Sequence, residues 1–192
     1  MLEAGAKVTN QRSGTQFELL QIDPAGFVMR YTMNDKTLVP DFAEHFHVGW
    51  HEDFKVLSGE GTYVLGGEEG RVKAGETVSM PEQVKHIHPM NALAEPMIME
   101  QHTKVTGHGP NAVQDTLGFL FTMFEWEAEG KIALDRLGLP KNPMKFAAAG
   151  RILGNAGSYD ARLPKGAADF AGATFGRLAE MMGISVIDPK WR

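Results

Sequence analysis

The chain has no cysteine among its 192 residues, and it also lacks basic runs. Without cysteine it can form neither disulfides nor thiolate ligands, so a bound metal would depend on histidine, carboxylate and water. Without a basic run, and with a net charge of -5, it offers no surface that neutralises nucleic-acid phosphates. We therefore expect no nucleic-acid partner.

Long apolar runs are missing as well. The run LGFLFTMF, between Asp115 and Glu125, has only eight residues, whereas a membrane-spanning helix needs about 20. The stretch MLEAGAKVTNQRSG at residues 1–14 has neither the basic start nor the apolar centre of a secretory signal. We expect no transmembrane segment and a cytoplasmic location.

Strand signals fill the first half of the chain. QFELLQI and FVMRYTM form two predicted strands on either side of the turn Asp23-Pro24-Ala25-Gly26. Alternation makes one face of the second strand apolar, and that face is assigned to the core: Phe27, Met29, Tyr31 and Met33. Short β-rich runs broken by glycines continue to about residue 106 and predict a sandwich or barrel.

Three imidazoles and one carboxylate are concentrated within eight residues, at His45, His47, His51 and Glu52. Successive side chains of a strand point to opposite faces, so His45 and His47 project from the same face and can bind one ion together. His51 and Glu52 are neighbours, and only one of them can join that pair. Gly49, just before them, permits a bend that re-aims the chain.

Written as a pattern, this stretch is H-x-H-x4-E-x6-G, ending at Gly59, and it resembles the first motif of the cupin superfamily. The later stretch GETVSMPEQVKHIHPMN resembles the second motif, with Gly75, Pro81 and His86 in register. The resemblance implies a mainly β fold, a cupin-type β-barrel or jelly roll. It also implies a metal-ligand set of His45, His47, Glu52 and His86.

The second motif departs from the family pattern at two positions. Gln83 stands where the family has a turn glycine, and glutamine adopts a positive φ only at some cost, which leaves room for a different turn. Asn91 falls one residue late, and this slip makes His88 a rival to His86 as fourth ligand. The spacing from Pro81 favours His86.

Three segments are predicted: an N-terminal arm at 1–14, the cupin β-barrel at 15–106 and a C-terminal helical extension at 107–192. Asn111 with Gln114 indicates the start of an amphipathic helix that ends near Gly130. Two further helices, separated by a loop, each contain a G-x-x-x-G spacing, which favours close helix packing. We expect these helices on the outside of the barrel or against a second subunit of a homodimer.

Three imidazoles and a carboxylate suit Fe, Mn, Ni, Zn or Cu. The resemblance implies a metal-dependent enzyme for a small organic molecule, with an oxygenase ahead of an isomerase or lyase and with Glu52 able to change from ligand to catalytic base. His51, His88 and His102 are candidates for supporting or acid-base roles. The alternative is a non-catalytic module that binds a small molecule or a metal.

Overall fold

The structure, a computed structural model, describes residues 1–36 and 39–192. Thr37 and Leu38, which fall within the predicted barrel, lie outside the described residues. The strands are β1 (Lys7–Thr9), β2 (Gln16–Asp23), β3 (Gly26–Met33), β4 (His45–His47), β5 (Trp50–Ser58), β6 (Glu60–Leu65), β7 (Glu68–Lys73), β8 (Thr77–Met80), β9 (His86–Asn91), β10 (Met97–Val105) and β11 (Ser158–Asp160). The helices are α1 (Ala112–Ala128), α2 (Pro143–Asn155), α3 (Lys165–Ala171) and α4 (Arg177–Met181), with a π-helical turn at Gly172–Gly176 between the last two and a 3-10 turn at Pro189–Trp191.

The strands form two antiparallel sheets that pack face to face. One sheet has the order β1-β2-β3-β10-β5-β8, and the other has the order β11-β4-β9-β6-β7. The predicted mainly β fold with a C-terminal helical extension is therefore confirmed. Among the described residues, no helix is long and apolar enough to cross a membrane.

The hairpin of β2 and β3 follows the predicted strand and turn pattern. The backbone N–H of Ala25 donates to Oδ1 of Asp23 at 2.7 Å, which closes the turn. The predicted core face of β3 is buried, with exposed fractions of 5% or less at Phe27, Met29, Tyr31 and Met33. Gly26 is required for close approach, because a Cβ atom there would lie 2.1 Å from the carbonyl oxygen of Thr103 on β10.

The turn before β9 keeps the backbone conformation that a glycine would adopt. Gln83 has a φ of 64°, in the left-handed region, which costs a side-chain-bearing residue about 1–2 kcal/mol. Its backbone N–H donates to the carbonyl oxygen of His47 at 2.6 Å. Gln83 therefore adopts the left-handed conformation that favours glycine, and the turn is tied directly to the strand that carries the first two histidines.

Helix α1 begins and ends close to the predicted positions, but its first turn is held differently. The side chain of Asn111 makes no capping hydrogen bond. Gln114, expected to help cap the helix, instead donates from Nε2 to the carbonyl oxygen of Trp191 at 2.6 Å. On its inner face, Phe124 stacks on Phe17 of β2 with ring centroids 5.2 Å apart. Helix α1 thus shares the main hydrophobic core with the sheets.

The loop predicted between the second and third helices contains a strand, β11, which lies between α2 and α3. β11 pairs antiparallel with β4, so that Ser158 lies opposite His47 and Asp160 lies opposite His45. Tyr159 stacks on Phe46 with centroids 5.3 Å apart. A strand of three residues is too short to produce a readable alternation. The C-terminal extension is therefore hydrogen-bonded to the strand that carries two of the candidate ligands.

Candidate metal centre

Three strands bring the four predicted ligands together. β4 carries His45 and His47, β5 carries Glu52, and β9 carries His86, which lies directly opposite His45 in the ladder. One candidate ligand atom from each of the four lies within 4.8 Å of the other three. All four side chains are largely withdrawn from solvent, with His45 the most accessible. This cluster could hold a metal ion.

The unpaired polar atoms of the cluster fit a cation. Oε2 of Glu52 lies 3.1 Å from Nε2 of His86 and 3.4 Å from Nε2 of His47. These three atoms are buried, and none has a hydrogen-bond partner among the described residues. Buried polar atoms are nearly always satisfied in folded proteins. One ion between these atoms would satisfy all three, which is the arrangement that a metal site requires.

Two backbone carbonyl groups fix the orientation of the imidazoles. Nδ1 of His45 lies 2.7 Å from the carbonyl oxygen of Ala43, and Nδ1 of His86 lies 2.8 Å from that of Val84. A carbonyl oxygen only accepts, so each Nδ1 carries the hydrogen and each Nε2 presents its lone pair. This is the supporting contact that metal-binding histidines usually make.

Glu52 is held in its ionised form and in one orientation. Burial raises the pKa of its carboxyl, but the neighbouring imidazoles of His47, His88 and His86 outweigh that effect and keep the pKa well below its ordinary value. Its other oxygen, Oε1, accepts a hydrogen bond of 2.6 Å from Nε2 of Gln101. The carboxylate therefore directs Oε2 towards the histidines.

His88, the rival ligand, lies beside the four-residue cluster. Its Nε2 is 3.5 Å from Oε2 of Glu52, yet it is not among the four residues whose ligand atoms all lie close together. Its ring packs against those of Phe54 and Phe42, with centroids 4.5 and 5.2 Å apart. Neither of its ring nitrogens has a partner among the described residues, and burial lowers its pKa, which favours the neutral imidazole.

Two other candidate histidines face away from the cluster. The His51 side chain is 47% exposed and its Nε2 lies 3.2 Å from Oδ1 of Asp53. His102 is equally exposed, with Nε2 3.6 Å from Glu100. Glu52, by contrast, is 2% exposed. Of the neighbours His51 and Glu52, only the glutamate joins the histidine pair, as strand alternation predicts.

A cavity of about 140 Å³ lies between the cluster and the C-terminal helices. Trp50, one of its walls, stacks on His47 with ring centroids 5.1 Å apart. Side chains of the extension form the opposite wall, among them Leu117, Leu120, Phe124 and Leu139. The helices were expected on the outside of the barrel or at a second subunit. Helix α1 packs against the sheets and closes the space above the cluster.

Sequence reasoning missed Gln101 as a residue of the site. It is 2% exposed and lines the cavity. In the sequence it shares the core-facing side of β10 with Met97 and Met99. A polar side chain in that register is the signal that would have found it, because buried polar groups need partners.

The comparisons with known proteins identify a family for part of the chain. Residues 35–99 match the model of the family described as "Cupin domain". No curated protein matches the chain. Three histidines and a glutamate, as found here, are typical of the metal sites of cupins.

Solved structures with a similar fold share little sequence with this chain. The cupin domain of Cnp3 from Schizosaccharomyces pombe is 14% identical, with a TM-score of 0.41 over 47% of this chain and 64% of that one, less than two thirds of its length. An uncharacterized protein with a double-stranded beta-helix domain from Klebsiella pneumoniae is 20% identical, with a TM-score of 0.42 over 57% and 85%. A predicted oxalate decarboxylase from Thermotoga maritima is 16% identical, with a TM-score of 0.41 over 55% and 99%. Such likenesses carry no argument about activity.

Proposed function

We propose, on the premise that residues 35–99 of this chain are a cupin domain, that the protein is a metal-dependent enzyme acting on a small organic molecule. The observation that supports this proposal is the position of the cluster. Four candidate ligand atoms within 4.8 Å of one another lie at the edge of a cavity of about 140 Å³. A purely structural metal site would not need an adjoining cavity.

The residues of the cluster have separate tasks in this proposal. His45, His47 and His86 would hold the ion through Nε2, and Glu52 would hold it through Oε2. A bound Fe, Mn, Ni, Zn or Cu ion would supply a Lewis acid, and most of these ions would also supply redox chemistry. Gln101 keeps the carboxylate of Glu52 oriented. Glu52 can also accept a proton from the substrate.

Oxygenase chemistry is the first candidate. The walls of the cavity include apolar and aromatic side chains from both the sheets and α1, and apolar walls reduce the water around a reactive centre. An isomerase or lyase is the second candidate, and His88 favours it. His88 lines the cavity with both ring nitrogens free of partners among the described residues, so it can take or give a proton beside the cluster.

Two measurements test these proposals. The purified protein should contain about one metal ion per chain, and a panel of phenols and diketones should reveal turnover that consumes dioxygen. Turnover that continues undiminished under anaerobic conditions would exclude the oxygenase and leave the isomerase or lyase. A protein free of metal after expression with several supplied ions would overturn the enzyme proposal in favour of a non-catalytic binding module.

We also infer a homodimer. Both sheets end in strands that are paired on one side only, such as β7 and β8. Exposed strand edges commonly pair between subunits. A solution mass equal to one chain at micromolar concentration would contradict this assembly.

A further inference from the structure

Arg12, in the predicted N-terminal arm, reaches the same cavity as the metal cluster. Its Nε donates to Oε2 of Glu127 at 3.1 Å, and its Nη1 donates to the carbonyl oxygen of Arg136 at 3.4 Å. Its Nη2 is buried and has no partner among the described residues. The guanidinium therefore has one nitrogen whose hydrogen bonds are unused.

The position of this guanidinium is fixed from two sides. Its Cζ atom lies 5.9 Å from the ring centroid of Phe124 on α1. On another side it lies against Gly138, where a Cβ atom would be 2.7 Å from Nη2. Gly138 also has a φ of 85°, which favours glycine. A larger residue is therefore disfavoured there both by its backbone conformation and by the clash with Arg12. The backbone thus leaves room for the arginine and holds it in place.

Thr116 adds a second unused group to the cavity. Its Oγ1 is buried without a partner among the described residues, and it lines the cavity from α1. Apart from Arg30 Nε, every unpaired buried side-chain atom of the described residues belongs to the metal cluster, to His88, or to Arg12 and Thr116. Unsatisfied buried polar atoms need an explanation. A metal ion would account for the atoms of the cluster, and a ligand in this cavity would account for those of Arg12 and Thr116.

Two aromatic rings separate Arg12 from the metal cluster. The ring of Phe124, which lies beside Arg12, is 6.1 Å from that of Phe42, and Phe42 is 5.2 Å from His88. A ligand that reaches from the guanidinium to the cluster must therefore pass along an aromatic wall. Its two ends can be polar, but its middle must be apolar.

We propose that the cavity binds a small carboxylic acid as its anion, with the carboxylate accepting a hydrogen bond from Nη2 of Arg12 and an apolar body extending towards the metal cluster. Charge-assisted hydrogen bonds from arginine to carboxylate are the strong class of such contacts. Asp41 and Asp160 also line the cavity. Their charges oppose a dianion such as phosphate more strongly than they oppose a single carboxylate.

This inference names the substrate class of the proposed enzyme. It rests on the proposed function only for the end of the ligand that lies at the metal cluster. The carboxylate contact itself needs no metal. The test therefore uses metal-free, chelator-treated full-length protein, with hexanoate and hexan-1-ol as probes in isothermal titration calorimetry. Wild-type protein is expected to bind hexanoate about tenfold or more tightly than hexan-1-ol, because the alcohol lacks the charge.

Two variants locate the contact. Arg12→Met should lose about tenfold or more of the hexanoate affinity and keep its affinity for hexan-1-ol. Glu127→Gln is the matched control, since it breaks the same ion pair but leaves the guanidinium in place. It should bind hexanoate at least as tightly as wild type does, because a competing acceptor has lost its charge.

The proposal is overturned if wild-type protein binds both probes equally, or if Arg12→Met binds hexanoate as tightly as wild type. Should Arg12→Met fail to fold, the comparison of the two probes on wild-type protein decides. Hexanoate binding by a protein that takes up no metal would support the carboxylate site and overturn the proposal of a metal-dependent enzyme. Each proposal can therefore fail while the other stands.

Discussion

Gln101 donates from Nε2 to Oε1 of Glu52 at 2.6 Å, and this contact leaves Oε2 as the oxygen that faces the histidines. The amide is itself fixed, because the hydroxyl of Tyr31 donates to Oε1 of Gln101. Burial, with smaller effects from Glu52 and Asp41, raises the pKa of Tyr31 well above its ordinary value. The phenol therefore remains a donor at any working pH. The hydrogen bonds that run from Tyr31 through Gln101 to Glu52 thus keep one direction.

Replacing Gln101 by leucine should weaken metal binding by about 10- to 100-fold, the usual cost of losing a contact that orients a metal ligand. Tyr31→Phe is the matched control, because it removes the far donor but keeps the bond between Gln101 and Glu52. Its effect should be smaller. Both affinities can be measured by competition with a chromophoric chelator. Equal affinities of wild type and Gln101→Leu would show that the amide does not orient the carboxylate.

His47 and His51 provide a sharper test of the ligand set. His47→Ala should remove most of the bound metal, because it deletes a nitrogen from the pair on β4. His51→Ala should leave occupancy unchanged, since the His51 side chain faces solvent beside Asp53. Metal content after gel filtration reports both results. If His51→Ala were the variant that lost the metal, Glu52 would be wrongly assigned.

The part of the fold that depends on local pattern could be predicted from the sequence. The β2–β3 hairpin, the inward face of β3 and the extent of α1 all follow from alternation, turn residues and helical spacing. Alternation predicts that only one of His51 and Glu52 points inward, and the choice of Glu52 came from the resemblance. The ligand set was available only through the resemblance, because spacing says which side chains share a face but not which distant strands meet.

Other features depend on tertiary contacts that carry no local signal. β11 is defined by its pairing with β4, about 110 residues earlier in the chain. The position of α1 over the cavity depends on the stacking of Phe124 on Phe17. Gln83 keeps a glycine-like φ because its N–H bonds to His47. Residue preferences predict the energetic cost of that φ, but they do not predict the hydrogen bond that offsets it.

The two G-x-x-x-G segments differ in what they pack against. A Cβ atom on Gly176 would lie 2.6 Å from Cβ of Arg151 and 2.8 Å from the carbonyl oxygen of Ala147, both on α2. Gly150, in the first segment, is exposed and has no atom within 4 Å of such a Cβ. The close packing expected of these spacings is therefore found at Gly176 and not at Gly150.

Alanine at these two glycines should change stability in opposite directions. Gly176→Ala should lower the free energy of unfolding by about 1–3 kcal/mol, because backbone atoms of α2 must move apart. Gly150→Ala should raise it by about 0.5–1 kcal/mol, since alanine loses less entropy in a helix. Urea denaturation of both variants gives the two values. A stabilising Gly176→Ala would mean that the helices do not touch there.

Asp41 should give the stability of the protein a pH dependence of its own. It is 5% exposed, and Asn10 donates to its Oδ1 at 2.9 Å. Burial raises its pKa above the ordinary value of 3.8, against the opposing hydrogen bonds from Ser13 and Asn10. The folded state therefore binds the proton more tightly than the unfolded state does.

The sign of the effect follows from that difference. The stability contributed by the protonated carboxyl is fully present below about pH 3.8 and is lost as the pH rises through the raised pKa of Asp41. Asp41→Asn keeps the shape and the accepting Oδ1 but cannot ionise. Urea denaturation from pH 4 to 8 should show wild type losing stability relative to Asp41→Asn as the pH rises, and then a constant difference. Parallel profiles would show that Asp41 is ionised in both states throughout this range.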